Sequence, residues 1–274
     1  MKYPWVTFSV FSVLNLLARS NTFLLIYSCG WRMLNEAKRL LLVLALSSGA
    51  AYAQEAPKNL TLLGIPSATT APSGLVFGQV SRSVDIASES ENRTVLAFGV
   101  GFGDANEGLG GQLTVVGAPD SSNFDSFSYF GAKASRRLNS FANPTYLGLS
   151  VNRIAGAGEA TDLDPSVSLT LTSFRTMTTA SDSYPVMFTL GAGSHKRNEQ
   201  EDAGLLLGAG IGLTPNLGVS GAWSGEQVDL GASIKFGRFE NARVSLVLSD
   251  AFEQEDRRQL TVGVSWSIGL GQQR

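Results

Sequence analysis

The stretch Gln259-Leu260-Thr261-Val262-Gly263-Val264-Ser265-Trp266-Ser267-Ile268-Gly269-Leu270 decides how this chain is read. Leu260, Val262, Val264, Trp266 and Ile268 fall on one side of an extended backbone. Thr261, Gly263, Ser265 and Ser267 fall on the other. Such alternation marks a strand with one apolar face and one small, polar face. A soluble sandwich takes such a strand with its apolar face in the core. A membrane barrel takes it with the apolar face in lipid and the polar face in the lumen.

Eleven earlier segments repeat the pattern, at 75–83, 93–103, 111–117, 126–135, 145–152, 166–174, 184–193, 203–213, 216–223, 227–236 and 242–249. In 166–174, Val167, Leu169 and Leu171 oppose Ser168, Thr170 and Thr172. In 227–236, Val228, Leu230, Ala232, Ile234 and Phe236 oppose Asp229, Gly231, Ser233 and Lys235. No segment after residue 53 sustains helical periodicity. The polar faces carry mostly Gly, Ser and Ala, where a sandwich facing bulk water would carry Lys, Glu and Thr. Twelve strands over the 221 residues after Ala53 leave about 18 residues for each strand and its connection. A tilted spanning strand needs roughly 9–11 of these. Longer and shorter links tend to alternate, as when one barrel end carries turns and the other loops. The link at 176–184 is too long for that rule and the one at 224–226 too short, so the count ranges from 10 to 14. The fold expected over 74–270 is an all-β, antiparallel transmembrane β-barrel of about 12 strands, with a tail at 271–274.

Ahead of the strands, residues 33–53 have the form of a signal peptide. A basic region ends at Lys38-Arg39, an apolar run covers 40–46, and Ala51-Tyr52-Ala53 is a small-x-small cleavage site. Cleavage is expected between Ala53 and Gln54. Residues 1–32 then read as an over-long gene start, with a membrane anchor as the alternative. Residues 54–73 read as a periplasmic linker. Pro66 and Pro72 forbid a long helix or central strand there, and a disordered tail suits the segment better than a partial plug.

Removing 1–53 takes away Lys2, Arg19, Arg32, Lys38, Arg39 and Glu36, which leaves 16 basic and 22 acidic residues and a formal charge of −6. No basic patch suits nucleic acid. The single cysteine, Cys29, is also removed, so disulfides do not hold the exported chain together.

Thr261-Val-Gly-Val-Ser-Trp-Ser-Ile268 resembles the closing strand of Gram-negative outer-membrane β-barrel proteins. The shared pattern is polar, x, Gly, x, x, aromatic or apolar, x, apolar. The resemblance implies an outer-membrane location, lipid and lipopolysaccharide as surroundings, and recognition by the barrel-assembly machinery through Thr261, Gly263, Trp266 and Ile268. Such chains usually end on an aromatic residue, whereas this one runs on through Gly269-Leu-Gly-Gln-Gln-Arg274. A shorter likeness joins Gly64-Ile-Pro-Ser-Ala and Pro72-Ser-Gly74 to the leading segment of YjbH-like outer-membrane lipoprotein barrels, without their lipobox cysteine.

Residues suited to chemistry are few. His195, the only histidine, follows Ser194, and neighbours in a strand face opposite ways, which makes them poor partners for nucleophilic catalysis. Zinc is excluded as a Cys/His site. The acidic clusters at 159–164, 199–202 and 253–256 miss calcium-loop spacing and read as solvated loops. Gly99-Val-Gly101-Phe-Gly103 and Gly208-Ala-Gly-Ile-Gly212 read as close strand packing, since no helix follows. Phe77, Tyr129, Phe130, Tyr146, Tyr184, Trp223, Phe236, Phe252 and Trp266 read as interface girdles.

No catalytic residue and no cofactor is expected. The role expected is structural, narrow-pore or surface-binding. The alternatives are a secreted soluble β-sandwich adhesin and an outer-membrane lipid hydrolase using His195. N-terminal sequencing of the mature protein should begin at Gln54 or a near neighbour; a start well outside that window refutes the signal assignment.

Overall fold

A computed structural model describes residues 57–86, 93–118, 127–198, 201–237, 239–254 and 258–270. The expected gene start, the signal peptide with Ala51, Ala53 and Gln54, and the tail at 271–274 lie outside the described residues.

Twelve strands follow in order: β1 (Leu75–Asp85), β2 (Arg93–Gly103), β3 (Gly110–Gly117), β4 (Phe127–Arg137), β5 (Thr145–Gly158), β6 (Ser166–Thr178), β7 (Ser183–Arg197), β8 (Asp202–Gly212), β9 (Leu217–Trp223), β10 (Val228–Phe236), β11 (Phe239–Ser249) and β12 (Gln259–Gly269). Each pairs antiparallel with its chain neighbours, and β12 pairs with β1, so the sheet closes into a barrel. The strand number is the one the alternation predicts. The long link expected at 176–184 disappears, because β6 and β7 extend into it and leave a four-residue turn. There Thr179 N–H donates to Asp182 O at 2.8 Å, and Asp182 N–H donates to Thr179 Oγ1 at 3.1 Å.

Burial runs opposite to that of a soluble protein. Ser168, Thr170, Thr172, Thr189, Ser220 and Ser233 are buried, while Phe98, Leu113, Leu169, Leu190, Leu205 and Leu230 are exposed. An exterior of Leu, Val and Phe on every strand would be an aggregation surface in water and is the expected surface in lipid. Closure leaves no strand edge to be satisfied by water, the other requirement of a spanning sheet. No helix among the described residues is long and apolar enough to cross a membrane, so the crossing is made by strands.

The closing seam accounts for the alternation in the last strand. Val76 faces Ile268, Gly78 faces Trp266 and Ser83 faces Thr261. Outside, the Trp266 ring lies over Gly78, where an added Cβ would collide with it, and meets Phe98 edge-on at 6.0 Å. Inside, Ser83 Oγ and Thr261 Oγ1 hydrogen-bond at 2.8 Å, and Gly263 makes room for Ser245. Beyond Ile268, Leu270 N–H donates to Gly74 O at 2.6 Å, so the seam continues past the expected end of the motif.

Because the strand number is even, the start of β1 and the end of β12 share one end of the barrel. Connections at that end are 104–109, 138–144, 179–182, 213–216 and 237–238. Those at the other end, 86–92, 118–126, 159–165, 198–201, 224–227 and 250–258, are longer on the whole. Short turns belong to the periplasmic side.

Two expectations are corrected. Residues 57–73 do not hang outside as a linker; they run through the lumen, as set out below. The aromatic girdle is only partly made of the residues expected. Phe130, Trp223, Phe236 and Trp266 lie on the outside, joined by Phe98, Phe102 and Phe188. Phe77 instead lies inside beside Gly99, Tyr129 lines a lumenal cavity, and Tyr146 Oη donates to Asn106 Oδ1 at 2.6 Å. Alternation places a ring on one side of a strand, but it does not say which aromatic an internal partner will claim.

Leu190→Arg on the lipid face should destabilise the barrel by ~2–4 kcal/mol in urea titration of the protein folded in lipid vesicles. Trp266→Asp should lose heat-modifiable mobility and membrane insertion, since it removes the seam contact and places a charge in lipid. Wild-type behaviour of both would refute the lipid-facing assignment.

Candidate functional site

The lumen is occupied by the segment 57–74, here termed the strap. It starts at the periplasmic end beside β7 and β8. Lys58 Nζ pairs with Asp182 Oδ2 at 2.5 Å and sits 3.8 Å from the centre of the Tyr184 ring. Asn59 is fully buried, and its N–H donates to Thr214 O at 2.8 Å. Its Nδ2 donates to Ser233 Oγ at 3.0 Å, Ser233 O at 3.1 Å and Asn216 O at 3.2 Å. The strap then climbs the wall formed by β8, β9 and β10, and Leu63 N–H donates to Ser220 Oγ at 3.1 Å.

At Gly64 the chain turns with φ +90°, against Asp229. A side chain there would be strained in φ and would collide with Asp229. The strap next reaches β5 and β6, where Ala68 N–H donates to Thr172 Oγ1 at 2.8 Å. It ends beside β2 and β3. Ala71 N–H donates to Gln112 Oε1 at 3.0 Å, and Gly74 N–H donates to Gly101 O at 3.0 Å.

The strap has no ladder to join, because the wall strands spend their backbone groups on one another. Its own N–H groups would be orphaned if the lumen were apolar. Ser220, Thr172 and Gln112 receive them, which gives the polar inner face a specific use. Pro66 and Pro72 bring no N–H to satisfy. The glycine rows have a use as well. An added Cβ on Gly210 would fall on Thr61 O, and one on Gly218 on Asn59 O. Only glycine admits a second backbone this close to the wall. Leu206 departs from the alternation. It is a large apolar residue on the inner row of β8, 1% exposed, and it packs with Ile65, Leu62 and Ala222. A lone leucine in a glycine row is the sequence signal that an apolar partner lies inside.

At the outer end, a cavity of about 680 Å³ opens between β2, β3, β4, β5, β6 and β7. Arg93, Tyr129, Asn152, Arg153, His195 and Lys196 are among its walls. The rim is formed in part by the short helical turn Glu159–Asp162. Arg93 stands 5.5 Å from the Phe127 ring centre.

His195 is held in the left-handed region with φ 57°, at a break in the β7–β8 pairing. This break overturns the expectation that Ser194 and His195 point apart: His195 Nδ1 and Ser194 Oγ hydrogen-bond at 2.9 Å. Nδ1 must therefore accept from the serine hydroxyl or donate to it. Ser194 Oγ also accepts from Val167 N–H at 3.0 Å, where the β6–β7 ladder stops. His195 Nε2 lies 3.9 Å from Asp164 Oδ2, beyond hydrogen-bond distance, and that carboxylate is 85% exposed. A nucleophilic serine needs a base oriented by a third group in hydrogen-bond contact. This geometry instead replaces a missing ladder bond. No group of three or more His, Cys, Asp or Glu among the described residues is placed to hold a metal ion.

A closed antiparallel barrel with a lipid-type exterior and a polar lumen is an outer-membrane β-barrel. No protein-family model matches the chain, and no curated protein matches its sequence. Solved structures are similar to it at low identity. The KdgM porin has 13% identity and a TM-score of 0.46, over 70% of this chain and 99% of that one. An outer-membrane channel of Pseudomonas putida F1 has 13% identity and a TM-score of 0.44, over 76% and 100%. The outer-membrane protein Omp33 of Acinetobacter baumannii has 14% identity and a TM-score of 0.41, over 71% and 97%.

The periplasmic anchor of the strap has a defined pH dependence. The Lys58 ammonium, hydrogen-bonded to Asp182, holds that carboxyl below the ordinary carboxylate range, and Ser183 N–H adds to the effect. A lowered carboxyl contributes its anchoring above the ordinary range and loses it as pH falls through the lowered value. Protease protection of the strap should therefore hold from neutral to mildly acid pH and fall only below the ordinary carboxylate range. Asp182→Asn should weaken protection at neutral pH. Unchanged protection in that variant would show that the pair anchors nothing.

Proposed function

We propose that this outer-membrane barrel is a narrow channel whose passage is restricted by its own strap, and that it carries out no catalysis. The observation that supports the reading is the course of 57–74 from β7–β10 to β2–β3 through the barrel interior. Were the barrel only a wall, a hydrated lumen would need neither the glycines against Thr61 and Asn59 nor the buried Leu206. The cavity at the outer mouth supplies a vestibule. The soluble adhesin reading fails on the closed barrel with its apolar exterior. The hydrolase reading gains nothing from the Ser194–His195 contact, because Asp164 stands 3.9 Å from His195 Nε2, too far to orient the ring by a hydrogen bond.

For partners, lipid and lipopolysaccharide would face the Leu, Val and Phe exterior. The barrel-assembly machinery would read the closing strand, with Trp266 and Ile268 outside and Thr261 and Gly263 inside.

The test is single-channel recording of the refolded mature chain in planar bilayers, beside Gly210→Val, whose side chain displaces the strap from β8. The variant should conduct several-fold more than the parent. Equal conductance in a variant with wild-type heat-modifiable mobility would refute restriction by the strap. No conductance in either would refute the channel.

A further inference from the structure

The barrel register places Lys235 of β10 directly opposite Arg243 of β11. Both belong to the inner row, which also holds the pair Ser233 and Ser245. Like charges directly opposed across two strands are destabilising. Ion pairs could relieve this, but those among the described residues join Lys58 to Asp182, Arg197 to Asp202 and Arg258 to Glu253, with His195 near Asp164. None reaches Lys235 or Arg243. Two cations opposed on the inner row beside the turn at 237–238, with no carboxylate bridging them among the described residues, are a place for a mobile anion.

Lys133 of β4 lies on the inner row, and its cross-strand neighbours are the neutral Gln112 and Ser150. Arg93, Arg153 and Lys196 line the outer mouth. Among the lumenal acids, Asp229 is engaged by Gln227 Nε2 at 3.0 Å and by Asp250 N–H at 3.3 Å, and Gly64 of the strap covers it. Asp85 has a partner of its own. The outer mouth is mixed in charge, since Glu159, Asp162 and Asp164 line the same cavity as Arg93, Arg153 and Lys196. A water-filled passage between low-dielectric walls focuses the field of the charges inside it. The strap's contacts cover β2, β3 and β5 to β10, and Arg243 projects from β11, outside that set.

We infer that the lumen selects small anions, and that the Lys235–Arg243 pair is the site that holds the anion in passage. The inference rests on the channel reading and names the solute class for it. An anion between the two cations removes their repulsion and exchanges its water for their N–H donors.

The test is the zero-current potential of the full mature chain across a potassium chloride gradient, repeated with Gly210→Val for a larger signal. Both should show chloride preferred over potassium, and the preference should shrink as ionic strength rises. Lys235→Gln with Arg243→Gln should lower the chloride-to-potassium ratio several-fold at an unchanged heat-modifiable mobility. Lys235→Gln alone serves where the double variant does not fold and should give a smaller drop in the same direction. A potassium-preferring or indifferent parent overturns the inference while leaving the channel standing, as does an unchanged ratio in the folded variants. Absence of conductance in every protein overturns both.

Discussion

The structure depends on one constraint. Inside a bilayer, each backbone N–H and C=O must find its partner within the protein. The pairing of β1 with β12 is where this chain meets it. Eleven residue pairs run from Leu75–Gly269 to Asp85–Gln259 and close a sheet that would otherwise expose two edges to hydrocarbon. The Trp266 ring over Gly78 and against Phe98 covers the seam from the lipid side, and Ser83 with Thr261 ties it from within. Once the wall is closed its backbone is used up, and anything placed inside must be satisfied by side chains.

The strap lives under that second condition. It is irregular backbone at membrane depth, which is tolerated only when buried in protein or lining a water-filled space. Lumenal Ser, Thr and Gln side chains meet it at intervals, and glycines let it approach the wall. The composition of the inner face thus follows from what it must hold. Small residues give space, hydroxyls and amides give hydrogen bonds, and one leucine gives an apolar contact. The same face carries cations where the strap does not bind them.

The barrel was legible in the chain because its rule is local. In 166–174 and 259–270 every second residue declares its face, and the structure puts each where alternation says. The strap was not legible, since 57–74 has no period of its own. Its partners Ser220, Thr172 and Gln112 lie far along the sequence, in strands that look complete without it. A signal existed in Leu206 among the glycines of β8 and in Gly218 opposite Gly212, which a hydrated lumen would not require. The Ser194–His195 contact was hidden for a related reason. Strand geometry forbids it, and only the left-handed backbone at His195, where two ladders break, allows it. Aromatics were half legible. Phe130 and Trp266 obey the outward row, whereas Phe77 lies inside against Gly99 and Tyr146 is claimed by Asn106 of the turn at 104–109.

The wall and the strap differ in what happens when a hydrogen bond breaks. A ladder bond opened against lipid leaves two groups with no water to take its place, so the wall opens only as a whole. A strap bond opened at a partly exposed place in the lumen, such as Leu63 N–H to Ser220 Oγ, can be exchanged for water. Its net worth is then the modest ~0.5–1.5 kcal/mol of an exchanged bond and not the full cost of an orphaned group. The strap is also continuous with β1 at Gly74, so release of its Lys58 end leaves it tethered to the rim. Its apolar cluster is Ile65 and Leu62 against Leu206 and Ala222, with Ala68 buried beside Gly148. A segment held by separate side-chain bonds, inside a wall that opens only as a whole, is the part of this molecule that can move while the barrel stays intact.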